Sequence, residues 1–163
     1  SAQTLLAPQE YDLKDFIIPV AEDARGSFAE SVQTLQGLVF ILDDNIELAK
    51  QQFQSVLEKT DNPMSKTISQ IYLLQIALIE GDNKKAEEYA SIRGVKSFLS
   101  IKTADMQVIQ AWYQFKVKKD VVQTHKAMKI AKQKMDSSRM LRDEKRYYEN
   151  WLAELEKELT EGV

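Results

Sequence analysis

The feature that most restricts this chain is a recurrence of polar breaks. Asp44-Asn45, Gly81-Asp82 and Lys119-Asp120 interrupt apolar stretches at intervals of 37 and 38 residues. Between the breaks, apolar residues return every three or four positions, the period of one helix face. Ile46, Ala49, Phe53 and Val56 follow the first break, Ile68, Ile71, Leu74 and Leu78 precede the second, and Val108, Ile109, Trp112 and Phe115 precede the third. A chain punctuated in this way is predicted to fold as successive two-helix units, each hiding its apolar face by stacking on its neighbours. The 163 residues hold only 5 Gly and 3 Pro, too few turn formers for a many-stranded sandwich or barrel. The expected class is all-α, and the length suits one domain.

Local signals predict the element ends. Ser27-Phe-Ala-Glu30 has the spacing of a reciprocal helix cap and predicts a helix to about Leu42. Asp44 and Glu47 repeat that spacing at the next helix, which Thr60-Asp-Asn-Pro63 ends, since a residue before proline is pushed out of helical geometry. A strongly apolar helix is predicted from Ser65 to Ile79, and a short one through Ala86, Tyr89 and Ala90 that closes on a left-handed Gly94. Residues 95–102 read as a loop. Thr103 starts a fifth helix, Val121 to about Met135 forms a sixth, and Ser137-Ser138 is predicted to cap a long final helix through Leu141, Tyr148, Trp151, Leu152 and Leu155. Residues 1–26 differ, because Pro8 and Pro19 interrupt any helix and Tyr11 to Val20 is apolar without a helical period. They are predicted to be an extended segment lying on an apolar surface of the body or belonging to a partner-binding region, leaving 27–163 as a single helical domain.

Gly37, then Phe40 three residues on, then Ala49 and Phe53 in the pattern Ala-x-x-x-Phe, with nine residues from Phe40 to Ala49, give the first unit the spacing of a known repeat. Gly81-Asp82 followed by Ala86 repeats the turn and the small residue, and Thr124 takes the alanine position in the third unit. Over about residues 27–136 the chain resembles the tetratricopeptide repeat family. Gln33 stands where that family often has Trp, Leu74 replaces its glycine, and Ala90 replaces its second aromatic. The resemblance implies an α-solenoid of about three helix-turn-helix units with a long C-terminal capping helix. It also implies a concave groove lined by the first helix of each unit. The inward positions would be Ser31, Thr34, Leu38 and Ile41, then Ile68, Ile71, Gln75 and Leu78, then Met106, Ile109, Tyr113 and Lys116. Thr34 and Leu38 are uncharged where relatives that clamp a terminal carboxylate carry basic or amide side chains, so the groove is expected to take an apolar segment.

Little in the sequence points to catalysis. Without Cys there is no thiolate ligand, disulfide or cysteine nucleophile, and His125 is the only histidine, read as a surface residue. The five glycines are too dispersed for a phosphate cradle, and Asp43-Asp44-Asn45-x-Glu47 lacks the alternating ligands and central glycine of a calcium loop. No metal, cofactor or catalytic residue is expected. Charge is uneven: residues 116–146 carry 11 basic and 4 acidic groups, whereas 1–63 carry 4 and 11 and 147–163 carry 1 and 5. The expected function is therefore a non-catalytic interaction module for a protein or peptide partner, a second copy of the chain included. The alternative is nucleic-acid or acidic-partner binding through Lys118, Lys119, Lys126, Lys129, Arg139 and Arg142, with Lys116, Lys132, Lys145 and Arg146 beside them. The longest uncharged runs, Thr67 to Ile79 and Ser31 to Leu42, fall short of the ~20 residues of a membrane span. A start at Ser-Ala-Gln without Met is expected of a processed or truncated product. The composition suits the cytoplasm and equally the soluble part of an exported or tethered protein.

Overall fold

The computed structural model describes residues 26–162, so the predicted extended segment lies, but for Gly26, outside the described residues. Eight α-helices follow one another: α1 (Gly26–Leu42), α2 (Ile46–Lys59), α3 (Pro63–Glu80), α4 (Asn83–Ala90), α5 (Arg93–Leu99), α6 (Ala104–Tyr113), α7 (Val121–Met135) and α8 (Arg142–Glu161). A π-helical turn, Gln114–Lys118, continues α6. No strand occurs among the described residues, and the all-α class expected from the scarcity of turn formers holds.

The three polar breaks are the hairpins. Asp44, Gly81 and Lys119 adopt φ of 61°, 74° and 57°, the only positive values among the described residues. Such a left-handed residue lets a chain leave one helix and enter the next within two or three positions. Five residues after each stands a side chain sealed from solvent, namely Ala49, Ala86 and Thr124. Four further on stand Phe53, Ala90 and Met128, also buried. The second and third hairpins are capped alike, with the carboxylates of Asp82 and Asp120 accepting from Lys85 N and Gln123 N at 3.1 and 3.0 Å. At the first, Asn45 occupies the cap position without a side-chain bond, so the expected Asp44 cap is replaced by a left-handed Asp44 one residue earlier.

Other predicted ends move for identifiable reasons. The helix already runs through Ser27, so Ser27 is no cap. Pro63 begins α3 instead of preceding it, because its fixed φ and missing N–H are tolerated in the first turn; Asn62 Oδ1 accepts from Met64 N and Ser65 N at 2.9 and 3.3 Å. Gly94 is not a left-handed cap but an α5 residue, and 95–99, part of the loop expected over 95–102, is helix. A side chain at Gly94 would approach Thr67 Oγ1 to 2.8 Å, so glycine serves the contact of α5 with α3. The last helix starts at Arg142, with Leu141 rather than Ser137-Ser138 at its cap position.

Packing runs between neighbours: α1 with α2, α2 with α3, α3 with α4, and α6 with α7, while α1 with α3 and α3 with α6 join the first helices of successive hairpins. Gly37 permits the tightest approach in the first pair, since a Cβ there would meet Phe53 Cζ at 2.5 Å. Phe53 in turn stacks on Tyr72 of α3, ring centroids 4.8 Å apart. The main core gathers residues of α3 through α8, and a smaller one joins Ile41, Ala49, Phe53, Leu73 and Ile76. The final helix does more than close the last hairpin, for α8 packs on α6 and α7 and also reaches α1.

Candidate interaction surfaces

The side formed by the first helices is covered by α8. Tyr147 and Tyr148 donate to Gln75 Oε1 on α3 at 3.3 and 3.4 Å. Trp112 Nε1 donates to the Trp151 carbonyl at 3.0 Å, and the two indoles meet edge to face with centroids 5.5 Å apart. Farther along, Lys116 pairs with Glu158 at 2.8 Å, and Lys132 of α7 pairs with Glu156. At the other end Leu141 packs against Leu38 and Val39 of α1. Burial pushes the phenols of Tyr72 on α3 and of Tyr147 and Tyr148 on α8 well above the ordinary tyrosine range, so they remain neutral hydroxyls.

The residues expected to line an open groove are therefore largely interior. Leu38, Ile41, Ile71, Gln75, Leu78, Ile109 and Tyr113 are buried, as is Thr34, while Ile68 and Met106 are half-buried and Ser31 is exposed. Ile41 belongs to the core around Phe53, and Gln75 is sealed completely. The expected apolar groove open to a partner is corrected here: an amphipathic α8 turns Tyr148, Leu152, Leu155 and Leu159 inward and fills the space itself. Spacing alone reveals which face of a helix is apolar, not which distant helix will cover it.

The basic band divides into two groups. Lys116, Lys118 and Lys132 are engaged: Lys118 pairs with Glu87 at 3.2 Å and sits over the Tyr113 ring, and Lys116 lies 5.3 Å from the centroid of Trp112. Glu87 raises the Lys118 ammonium above its ordinary range. Lys119 occupies the third left-handed turn, and Lys126 and Lys129 are exposed along α7. Arg139 and Arg142 come together with Lys145 and Arg146 around a cleft of about 720 Å³ that Asp136, Ser138, Met140 and Glu149 complete. Helix periodicity explains the gathering, because positions 142, 145, 146 and 149 share one face of α8 and the α7–α8 connection folds beside it. Sequence reading marked the band but not this partition, which depends on where the connection turns.

A second pocket of about 520 Å³ lies between the Gly81 turn and α8, lined by Leu78, Ile79, Trp112, Lys116, Trp151 and Glu158 among others. Lys116, held over the indole and paired with Glu158, already supplies the cation such an aromatic and acidic lining favours. Among the described residues no cluster of three His, Cys, Asp or Glu side chains is arranged to hold a metal ion, and no helix is long and apolar enough to cross a membrane. His125 is exposed and lines a shallow pocket with Phe115, Met128 and Lys132.

No family model matches the chain, and neither a curated protein nor a solved structure matches it.

Proposed function

We propose that this chain is a non-catalytic protein-interaction module built from tetratricopeptide-like repeats, and that its partner lays an anionic segment in the cleft of Arg139, Arg142, Lys145 and Arg146. The observation carrying the reading is that these four cations border one open volume of about 720 Å³, within the range of ordinary ligand sites. The repeat architecture is supported by the left-handed turns at Asp44, Gly81 and Lys119 and by the buried residue five positions after each. The inner side contributes rigidity instead of a docking face, because α8 occupies it and ties α1 to α6 and α7. A rigid scaffold carrying a charged surface site is a common division of labour in interaction domains.

Fluorescence anisotropy with a labelled acidic peptide tests the reading. Binding is expected at about 50 mM salt and should weaken as salt screens the cleft. The double substitution Arg139→Glu/Arg146→Glu should abolish it, whereas Lys126→Glu/Lys129→Glu on α7 should leave it nearly intact. Equal losses from the two pairs would mean that the cleft is not the site. Tighter binding of a single-stranded oligonucleotide, with a steep salt slope, would replace the reading with nucleic-acid recognition.

A further inference from the structure

Arginine is scarce in this protein and unevenly used. Of the 22 basic residues, 17 are Lys and only 5 are Arg, yet three of those five, Arg139, Arg142 and Arg146, fall within eight residues and border the same cleft. The chain serves its solvated helix faces with lysine, a compact, strongly hydrated charge, and concentrates the planar guanidinium at one place. Arg142 and Arg146 stand one helical turn apart on α8, and Lys145 lies between them on the same face. Like charges at such spacing repel one another along a helix face. Among the described residues, Arg139, Lys145 and Arg146 make no ion pair. The Ser138 hydroxyl in the cleft wall is buried and has no hydrogen-bond partner among the described residues.

The extent of the basic surface limits the ligand. Asp136 and Glu149 bound the cleft, and farther along α8 Glu156 and Glu158 are already paired with Lys132 and Lys116. A long polyanion lying along this face of the helix would leave the cations at Glu149. A compact, doubly charged group suits the cleft better, because it meets more than one guanidinium fork at once and ends before Glu149.

Resting on the docking reading above, we infer that the anionic group recognised in the cleft is a phosphate monoester on a partner segment, held by the forks of Arg139 and Arg146 beside Lys145. Phosphate is distinguished from a carboxylate by its second charge and its three acceptor oxygens, with a second ionisation near about pH 6. The charged groups facing it are Asp136, Arg139, Arg142, Lys145, Arg146 and Glu149.

The test uses the intact chain and three labelled peptides that share an acidic sequence and differ at one central position, carrying phosphoserine, Glu or Ser. The phosphoserine peptide should bind at least about tenfold tighter than the Glu peptide. Lowering the pH from about 7.5 to about 5 should weaken it by about tenfold as the dianion is protonated, with a much smaller change for the Glu peptide. A loss of the same size for both peptides would assign the pH dependence to the protein and overturn the inference. Arg146→Lys keeps the charge and removes the fork; it should lose most of the phosphate preference while far-UV circular dichroism stays unchanged. Full preference in Arg146→Lys would overturn the role given to Arg146. If phosphoserine and Glu peptides bind alike, the phosphate inference falls and anionic docking stands. If none of the three binds, both fall. Tighter binding of a single-stranded oligonucleotide than of any peptide also overturns both.

Discussion

At Gly37 the absence of a side chain decides how closely α1 and α2 pack. Alanine would bring its Cβ to 2.5 Å from the buried Phe53 ring, which is itself held against Tyr72. The helix propensity that alanine regains, up to about 1 kcal/mol, does not offset overpacking of about 1–3 kcal/mol, so Gly37→Ala should lower stability in urea by about 1–2 kcal/mol. Gly81→Ala meets no neighbour within 4 Å, and its loss, of similar size, should come from the left-handed φ of 74° alone. A larger side chain separates the causes: Gly37→Val should be much worse than Gly37→Ala, while Gly81→Asn should recover much of the loss. Glu144 offers a pH test. Burial raises its carboxyl above the ordinary range, partly opposed by a hydrogen bond from the Leu141 backbone, with Asp143 and Asp105 adding repulsion. An acid raised in the folded state binds its proton more tightly there, so its destabilising effect is absent below the unfolded value of about 4.5 and grows as pH rises through the folded one. Glu144→Gln should therefore stabilise the protein at pH 7 and leave it unchanged near pH 4. The breaks at Gly81-Asp82 and Lys119-Asp120 were legible in the sequence because turn residues act locally. Gly94 was misread because its reason is Thr67 on another helix.

Elements were legible where one helix carries its own boundary signals. The three hairpins fall at Asp44, Gly81 and Lys119, as their spacing predicted, and α7 spans Val121–Met135. Helix α5 was missed because seven residues, Arg93–Leu99, complete too few turns to establish a period. The start of α8 was missed because its cap is half a capping box. Glu144 accepts from the Leu141 backbone, but Leu141 supplies no side-chain oxygen in return, so the Ser-x-x-Glu pattern never appears. The larger omission was the docking of α8. Its inward residues Tyr148, Leu152, Leu155 and Leu159 are interior, and Leu155 is fully sealed. Leu155→Ala should destabilise the fold by about 2–5 kcal/mol through lost burial and the cavity left behind. If α8 were only a polar cap on the last hairpin, the loss would stay below about 1 kcal/mol in the same urea titration.

Across the described residues, contacts between successive helices are combined with a brace, α8. Stacked helix pairs that touch only their neighbours unfold in parts when one interface is weaker than the rest. Here α8 contacts α1 as well as α6 and α7, and through Gln75 it also holds α3, so early and late parts of the sequence share one element. Losing α8 would uncover Gln75, Trp112 and the residues beneath them. Removing its four interior side chains alone forfeits on the order of 6–12 kcal/mol at about 1.5–3 kcal/mol each, comparable with the whole stability of a domain. Partial unfolding by release of α8 is therefore disfavoured, and the described region should unfold as one cooperative unit. The two tryptophans make this measurable, because Trp112 and Trp151 meet across the α6–α8 contact while circular dichroism reports on all the helices. Urea transitions followed by tryptophan emission and by the 222 nm helical signal should coincide in midpoint and slope. A tryptophan transition completed at lower urea than the loss of helix would mean that α8 leaves first and that the hairpins stand without their brace. Trp151→Phe replaces the indole that meets Trp112 edge to face with a smaller ring, while the Trp112 hydrogen bond to the backbone carbonyl at 151 stays in place. Its midpoints should fall by the same amount for both signals, since weakening one end of a cooperative unit weakens all of it.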